Sequence, residues 1–393
     1  MIDSQTAAWI ASKLGSPAFT LLDVGCSGGL DPGWKAFGDG LKAFGFDPAI
    51  AEIERLRSQE TRPLVEYVPA FVGLPIDHPM RPRYQLLKVS WPRLSAAHAQ
   101  AHSAGVEPTP AGHTKDWREE WIPGFDGPEF GEEKLSAGLG PVSEEPEGSA
   151  SLAMDESQRA HQAKLMAENR WDQAELVDPD KPLVLSRFLP ARGITDIDFI
   201  KIDIDGPDYT VLYDLAPIWQ SHRVLGVLME VNFGGSFSPH HHTFHNTDRY
   251  LRRHGFELYD LTVRKYSSAA LPSPFLYDYP AGTVKGRPLQ GDALYLRDFG
   301  WSTETTVPDD YSAAKIARLV ALFSMFDLHD QAAETALRFR DRLGEIVDVD
   351  ELLDRLAAEV QGDKGEVLSY RDYMDRFRAL DPSFFNAHSS GLK

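Results

Sequence analysis

The chain has 393 residues, of which 42% are apolar, and a formal net charge of −19. This length suits one large domain with insertions or two domains, and the negative charge argues against nonspecific binding to nucleic acid or to an anionic membrane. No apolar stretch is long enough to predict a transmembrane helix. The single cysteine, Cys26, excludes an internal disulfide, so we expect a cytoplasmic location.

The first 74 residues predict alternating helices and strands, because their apolar residues switch between helical spacing and short continuous runs. At Asp31-Pro32 an N-cap acid precedes a proline in the first helical turn, which is typical of a helix start. In chain order, the predicted elements are a helix over 5–15, a strand over 19–24, a helix from Asp31-Pro32, a strand over 41–47, a helix after Pro48, and a strand with its exit turn over Tyr67–Gly73.

Residues 75–180 interrupt this alternation. Proline, glycine, acidic residues and histidine are frequent there, and hydrophobic periodicity is weak. A doubly wound sheet does not need such a segment. We therefore interpret it as an insertion, either a lid or a partly disordered loop.

Regular structure is predicted again from Pro182. Near-continuous apolar runs indicate strands of a mostly parallel sheet with helices on both faces, and three amphipathic helices follow residue 305. In chain order, the predictions are a buried strand within Ile197–Gly206, a helix from Tyr209, a strand over 224–231, a helix over 247–254 closed by Gly255, antiparallel edge strands over 256–261 and 293–296, helices around 316–323, 332–343 and 352–356, and a tail from about 363. We predict a domain over 1–304 and a C-terminal helical extension over 305–393.

The most informative segment is Leu21–Gly29, in which a short apolar strand ends in Asp23 and a glycine-dense turn follows. The second predicted strand also ends in a carboxylate, Asp47. A first strand, a glycine turn and a second strand ending in an acid form the nucleoside-binding half of a parallel α/β sheet. The alternative is a glycine-rich turn with no ligand.

The turn does not fit a phosphate-bearing cofactor. Neither the G-x-G-x-x-G dinucleotide fingerprint nor a P-loop motif is present, and Asp23 would repel a pyrophosphate. S-adenosylmethionine carries an ammonium, a sulfonium and a ribose diol but no phosphate. Asp23 near the methionyl end and Asp47 on the ribose would match those groups, so we predict S-adenosylmethionine as cofactor and S-adenosylhomocysteine as product.

Several blocks of sequence, in order, resemble the FkbM-type S-adenosylmethionine-dependent methyltransferases. The blocks are Asp23–Gly29, Gly45–Pro48, Gly148–Leu152, Asp198–Gly206, Met229–Phe233, Phe244–Phe256 and Gly291–Arg297. The family more often has Glu where this chain has Asp47, and usually K-I-D-V-E-G where this chain has Lys201–Gly206. The resemblance implies a class I methyltransferase (Rossmann-like) fold and methyl transfer to a hydroxyl, typically of a sugar or glycan or of a secondary metabolite. The candidate cofactor-binding residues are Asp23, Gly25, Ser27, Gly29, Asp47, Pro48, Phe71 and Asp203.

Catalysis needs a group that removes the acceptor proton. Asp203 and Asp205 follow a central strand, where ligands of open α/β sheets bind. His241 and His245 lie in a histidine-rich segment after the next strand, and we predict that one of them is the general base, with Asp205 as a further catalytic candidate. Their spacing of four also suits a metal, but we favour catalysis or substrate contact and predict no metal ligand.

Two other functions remain open. A nicotinamide-dependent oxidoreductase or a sugar-nucleotide enzyme is disfavoured because the dinucleotide fingerprint is missing. A catalytically silent scaffold could bind a partner through the C-terminal helices. The acids at positions 23, 47, 203 and 205 argue against this alternative, because a chain that had lost its activity would not need to retain them. We expect a small-molecule or glycan acceptor, no nucleic acid partner, and helices at the C-terminus that serve packing or homodimerisation.

Overall fold

A computed structural model describes residues 4–74, 177, 181–204, 208–234, 242–266, 286–300, 311–361 and 367–380. Seven strands lie within these residues: β1 (Phe19–Val24), β2 (Leu41–Asp47), β3 (Val65–Pro69), β4 (Phe199–Ile202), β5 (Gly226–Asn232), β6 (Glu257–Tyr266) and β7 (Arg287–Leu296). They form one sheet in the order β3-β2-β1-β4-β5-β7-β6. The first five strands are parallel, and β7 pairs antiparallel with both β5 and β6. The mostly parallel sheet with an antiparallel edge agrees with the sequence prediction.

The described helices cover both faces of this sheet. In chain order they are α1 (Gln5–Lys13), a 3₁₀ helix (Pro32–Gly40), α2 (Ile50–Gln59), α3 (Leu185–Ala191), α4 (Asp208–Asp214), α5 (Ile218–Ser221), α6 (Phe244–Arg253), α7 (Ala313–Met325), α8 (His329–Arg338), α9 (Arg340–Leu343), α10 (Val349–Gln361) and α11 (Tyr370–Leu380). Asp31 caps the 3₁₀ helix as predicted, since its Oδ1 accepts from the N–H of Gly33 at 2.7 Å. Among the helices in this part of the chain, none has the length and hydropathy that crossing a bilayer requires.

Alternation along the strands builds two apolar layers. Phe19 and Leu21 of β1 point to the face covered by α1 and by α7 to α10, whereas Leu22 and Val24 point to the face covered by α3 to α6. The apolar side chains of α7, such as Ile316, therefore continue the core of the sheet. The division of the chain at residue 304 stays a prediction.

A buried ion cluster fastens α7 to the sheet at the end opposite the glycine turn. The Nζ of Lys315 lies 2.6 Å from Oδ1 of Asp198 and 3.0 Å from Oδ1 of Asp196. Asp198 is fully buried, and its Oδ2 accepts from the N–H of Thr20 at 2.7 Å. Arg318 adds a contact of 3.0 Å to Asp196. Charges removed from water need such complete pairing.

Two element boundaries differ from the prediction. The strand predicted with its exit turn over Tyr67–Gly73 is Val65–Pro69; it begins two residues earlier, and the N–H of Ala70 beyond it still donates to the carbonyl of Asp47 at 2.9 Å. The strand within Ile197–Gly206 is shorter than predicted, Phe199–Ile202. Beyond it, the N–H of Ile204 donates to the side chain of Asp208 at 2.8 Å instead of to a neighbouring strand.

The tail predicted from residue 363 contains a helix, α11. Its apolar residues Tyr370, Tyr373, Met374 and Phe377 recur at helical spacing, so the periodicity that indicates an amphipathic helix is present and the prediction of a tail overlooked it. Ser369 precedes the helix, and its hydroxyl both accepts from the N–H of Asp372 and donates to that carboxylate. Apart from Val177, the predicted insertion over 75–180 lies outside the described residues.

Candidate functional site

The glycine turn follows β1 at the carboxyl end of the parallel strands. Gly25 has φ +90°, and a Cβ placed on it would lie 1.7 Å from the carbonyl oxygen of Asp203. Gly28 and Gly29 also have positive φ, +80° and +94°, a region that L side chains rarely occupy. The N–H groups of Gly25 and Cys26 both donate to the carbonyl of Phe46 in β2. The turn thus holds β1, β2 and the end of β4 together, and only glycine fits at position 25.

A carboxylate from α2 closes the same turn. The N–H of Gly28 donates to Oε1 of Glu52 at 2.9 Å, and Glu52 is buried. Burial by itself would raise the pKa of Glu52, but hydrogen bonds from Arg55 and from Gly28 outweigh it and lower that pKa. A backbone amide that could face a phosphate is therefore occupied by an ionised acid.

Asp23 and Lys201 form an ion pair beneath the turn. They are partners in the β1–β4 register, and the Nζ of Lys201 lies 3.4 Å from Oδ1 of Asp23. The same Nζ lies 3.4 Å from Oδ2 of Asp203 and donates to the carbonyl of Gly25 at 3.1 Å. Burial raises the pKa of Asp23 to about 6, even though Lys201 lowers it. The contacts with Asp23 and Asp203 raise the pKa of Lys201, although burial opposes them.

A second set of charges continues this row across the sheet. Arg264 of β6 donates to Glu230 of β5 at 2.9 Å and to both carboxylate oxygens of Asp292 of β7 at 2.9 and 2.8 Å. Glu230 and Asp292 are partners in the β5–β7 register. Burial raises the pKa of Asp292, and the nearby charge of Asp203 adds to this rise. The side chain of Glu230 therefore lies in a salt bridge.

The predicted ribose ligand, Asp47, lies at the end of β2, beside the turn. It is buried, and its Oδ1 accepts from the N–H of Ala49 at 2.8 Å, which orients the carboxylate at the start of α2. The sulfur of Cys26 lies behind the turn, where a Cβ on Gly45 would approach it to 2.9 Å. Burial raises the pKa of the Cys26 thiol, so this cysteine stays protonated and packs in the core.

The remaining cofactor-binding candidates surround these residues. Ser27 is exposed at the tip of the turn, and Pro48 and Phe71 are half-buried at the ends of the neighbouring strands. The carbonyl of Pro48 accepts from the N–H of Val177 at 2.9 Å. Two catalytic candidates, Asp205 and His241, lie outside the described residues, as does the block Gly148–Leu152.

Of the clustered histidines, two are described, and they differ in environment. His245 is exposed in the first turn of α6, with its Nε2 at 3.4 Å from Oγ1 of Thr243. His242 is buried: its Nε2 lies 2.9 Å from the carbonyl of Glu230, and its Nδ1 lies 3.9 Å from Asp208. In the portion of the chain that can be described, no group of three or more His, Cys, Asp or Glu residues could hold a metal ion.

Sequence reasoning missed five residues that shape this site. One signal was available, because a lysine inside a buried strand requires a partner. The other four depend on contacts between distant segments, so no local pattern indicates them. The five residues are Glu52, Lys201, His242, Arg264 and Asp292.

The sheet order, with five parallel strands and an antiparallel edge, defines a Rossmann-like α/β protein, and the glycine turn and the acid at the end of β2 lie at the carboxyl ends of its parallel strands, where ligands of such sheets bind. The family model of the methyltransferase FkbM domain matches residues 142–258, a segment that includes β4, β5 and α6. This match confirms the family resemblance over that segment and supports a methyltransferase. The glycine turn and Asp47 precede the matched residues. No curated protein matches the chain in sequence.

Proposed function

We propose that this protein is an S-adenosylmethionine-dependent methyltransferase that methylates a hydroxyl of a sugar, a glycan or a secondary metabolite. The observation that carries the proposal is the contact between Gly25 and Asp203. It joins the glycine turn to β4, the first described strand of the FkbM match. Residues 23–29 of the first motif and residues 198–204 of the second thus lie side by side in the sheet and its turn.

The residues at this edge fit a nucleoside cofactor without phosphates. A Cβ placed on Gly28 would meet nothing within 4 Å, so the turn leaves open space beside its backbone. Asp47 would hold the ribose diol, and Asp23 would attract the ammonium of the methionyl group. The ionised Glu52 on the Gly28 amide disfavours a pyrophosphate and therefore a nicotinamide cofactor. When bound, S-adenosylmethionine would supply a methyl group activated on a sulfonium.

The charges around the site suggest which acceptors it tolerates. Asp23, Asp203, Glu230 and Asp292 carry four carboxylates, whereas Lys201 and Arg264 carry two positive charges. Such an excess of acid repels phosphorylated or carboxylated acceptors. It favours an uncharged polyol or a cationic molecule, which agrees with a sugar hydroxyl as acceptor.

The chain must also orient the acceptor and accept its proton. We keep His245 and His241 as candidate bases and Asp205 as a further catalytic candidate, because in sequence they follow β5 and β4, whose carboxyl ends lie at the candidate site. An exposed histidine such as His245 can exchange its proton with solvent after each turnover. Asp203, which is 42% exposed, can accept a hydrogen bond from the acceptor or from the cofactor.

The first test is calorimetric titration of the purified chain with S-adenosylmethionine, S-adenosylhomocysteine and NAD. We expect micromolar binding of the first two and none of NAD. D47A should abolish the binding, whereas D39A, which removes an exposed carboxylate of the 3₁₀ helix, should leave it unchanged. A folded protein that binds neither sulfur ligand would overturn the proposal. Binding without turnover on any acceptor would instead favour the scaffold.

A further inference from the structure

Lys201 is unusual for its position. It lies in β4, between β1 and β5 in the sheet, and its neighbours in the strand, Ile200 and Ile202, are fully buried. The side chain of Lys201 is only 25% exposed. An apolar residue would pack such a strand at lower cost, because a lysine must keep its ammonium hydrated or paired.

In the part of the chain that the structure describes, three groups contact this ammonium, and all three belong to the candidate cofactor site. They are the carboxylate of Asp23, the carboxylate of Asp203 and the carbonyl of Gly25, at 3.4, 3.4 and 3.1 Å. Asp23 ends β1, Gly25 begins the glycine turn, and Asp203 lies against that turn. Lys201 therefore connects the parts of the site that come from separate segments of the sequence.

We propose that Lys201 is a positioning residue of the cofactor site, whose ammonium fixes the glycine turn through the Gly25 carbonyl and keeps Asp23 charged. This inference rests on the proposed function, because Asp23 is the group that would attract the ammonium of S-adenosylmethionine. Lys201 acts through Asp23 and Gly25 and need not touch the cofactor.

The surroundings of Asp23 explain why this charge is needed. Burial raises the pKa of Asp23 to about 6, and the nearby carboxylates of Asp203 and Asp31 push it in the same direction. The thiol of Cys26 also lies close enough to interact with Asp23 and with Asp47. Among the described groups that act most strongly on Asp23, Lys201 is the cation. Without it, the pKa of Asp23 would rise above about 6, so a larger fraction of this acid would be protonated at neutral pH and would no longer attract a cationic ligand.

The experiment is calorimetric titration with S-adenosylmethionine from pH 5 to pH 9 for the wild type, K201M and K201R, with K35M as a matched control at an exposed lysine of the 3₁₀ helix. Wild-type affinity should fall as the pH drops through about 6. K201M should bind at least about twofold more weakly at pH 7, since a carboxyl whose pKa rises past the pH is less than half charged, and should regain affinity towards pH 9. K201R should recover part of the loss, and K35M should match the wild type.

If K201M does not fold, D23N provides a second test by the same titration. It mimics the protonated acid, so it should bind weakly at pH 7 and show no step near pH 6. Wild-type affinity in D23N, or an unchanged pH profile in folded K201M, would overturn the role of Lys201. A loss in folded K201M that does not recover at high pH would also overturn it. A folded wild type that binds no S-adenosylmethionine at any pH would instead refute the proposed function.

Discussion

Gly25 and Asp203, which are 178 positions apart in the sequence, are in direct backbone contact: the space that a Cβ of residue 25 would need is filled by the carbonyl oxygen of Asp203, 1.7 Å away. The N–H of Asp203 donates to the carbonyl of Val24 at 2.8 Å, so β1 and β4 stay paired up to the first residue of the turn. This contact brings the two principal motifs of the chain into one site.

We expect G25A to disrupt both stability and cofactor binding. The new methyl group would overlap the Asp203 carbonyl, and φ +90° is strained for alanine, so the free energy of unfolding should fall by about 2–4 kcal/mol. G28A is the matched control, because it shares the positive φ but has open space around its Cβ; it should lose about 1 kcal/mol. Urea denaturation measures both values, and equal losses would contradict the steric argument.

Because of the ion cluster at α7, we expect K315M to have a much lower free energy of unfolding than the wild type. This change removes the cation nearest to Asp198, which is fully buried, and Arg318 lies farther away at 3.7 Å. Removing one partner of a buried pair costs about 3–5 kcal/mol because the other charge stays uncompensated. The double variant K315M/D198N should recover part of that loss in denaturant titrations. A double variant as unstable as the sum of the two single variants would show that the residues do not interact.

We expect the carboxylate of Glu359 to stabilise the fold at neutral pH and to lose this effect in acid. Its carboxylate accepts from the N–H of Thr6 at 2.7 Å and from the hydroxyl of Ser324 at 2.8 Å, and it lies 2.9 Å from Nε2 of His329. Although burial opposes them, these bonds lower the pKa of Glu359 to about 2 from 4.5. A carboxyl with a lowered folded-state pKa contributes stability above its unfolded value of 4.5, and that contribution is lost as the pH falls from 4.5 towards 2.

We therefore expect E359Q to be less stable than the wild type at pH 7 by about 2–3 kcal/mol. The difference should shrink below pH 4.5 and be nearly gone by pH 2. Thermal or urea unfolding of both proteins across this range measures it, with E351Q as a control at an exposed carboxylate of α10. A difference that stays constant with pH would mean that Glu359 contributes through packing rather than through its charge.

The histidine hypothesis predicts that H245A or H241A slows methyl transfer by about 10²-fold or more, the usual contribution of a general base. Cofactor affinity measured by calorimetry should stay unchanged, because neither residue is a cofactor ligand in this proposal. R253A, an exposed change in α6, serves as control. If both histidine variants keep full activity on the identified acceptor, neither residue is the base.

Local sequence patterns were sufficient for much of the fold. The run Leu21–Val24, apolar except for Asp23, predicted β1, and the glycines that follow predicted its turn, because burial and positive φ each restrict which residue types a position accepts. The helical spacing of the apolar residues in α11 was overlooked, and no pattern shows where one hydrogen bond ends a strand, as at Ile204. The candidate site followed the same division: the positions of Asp23 and Asp47 at the ends of strands could be predicted, whereas the contacts of Lys201 and Arg264 could not.

The sequence by itself determined the α/β class, the glycine turn and the carboxylates that end the strands, because each of these depends on neighbours within a few residues. Only the tertiary structure decided that Lys201 reaches Asp23 and Gly25, that Glu52 occupies the amide of Gly28, and that α7 joins the core of the sheet. Those relations depend on strand order and register, which arise from the packing of distant segments rather than from any local preference of the chain.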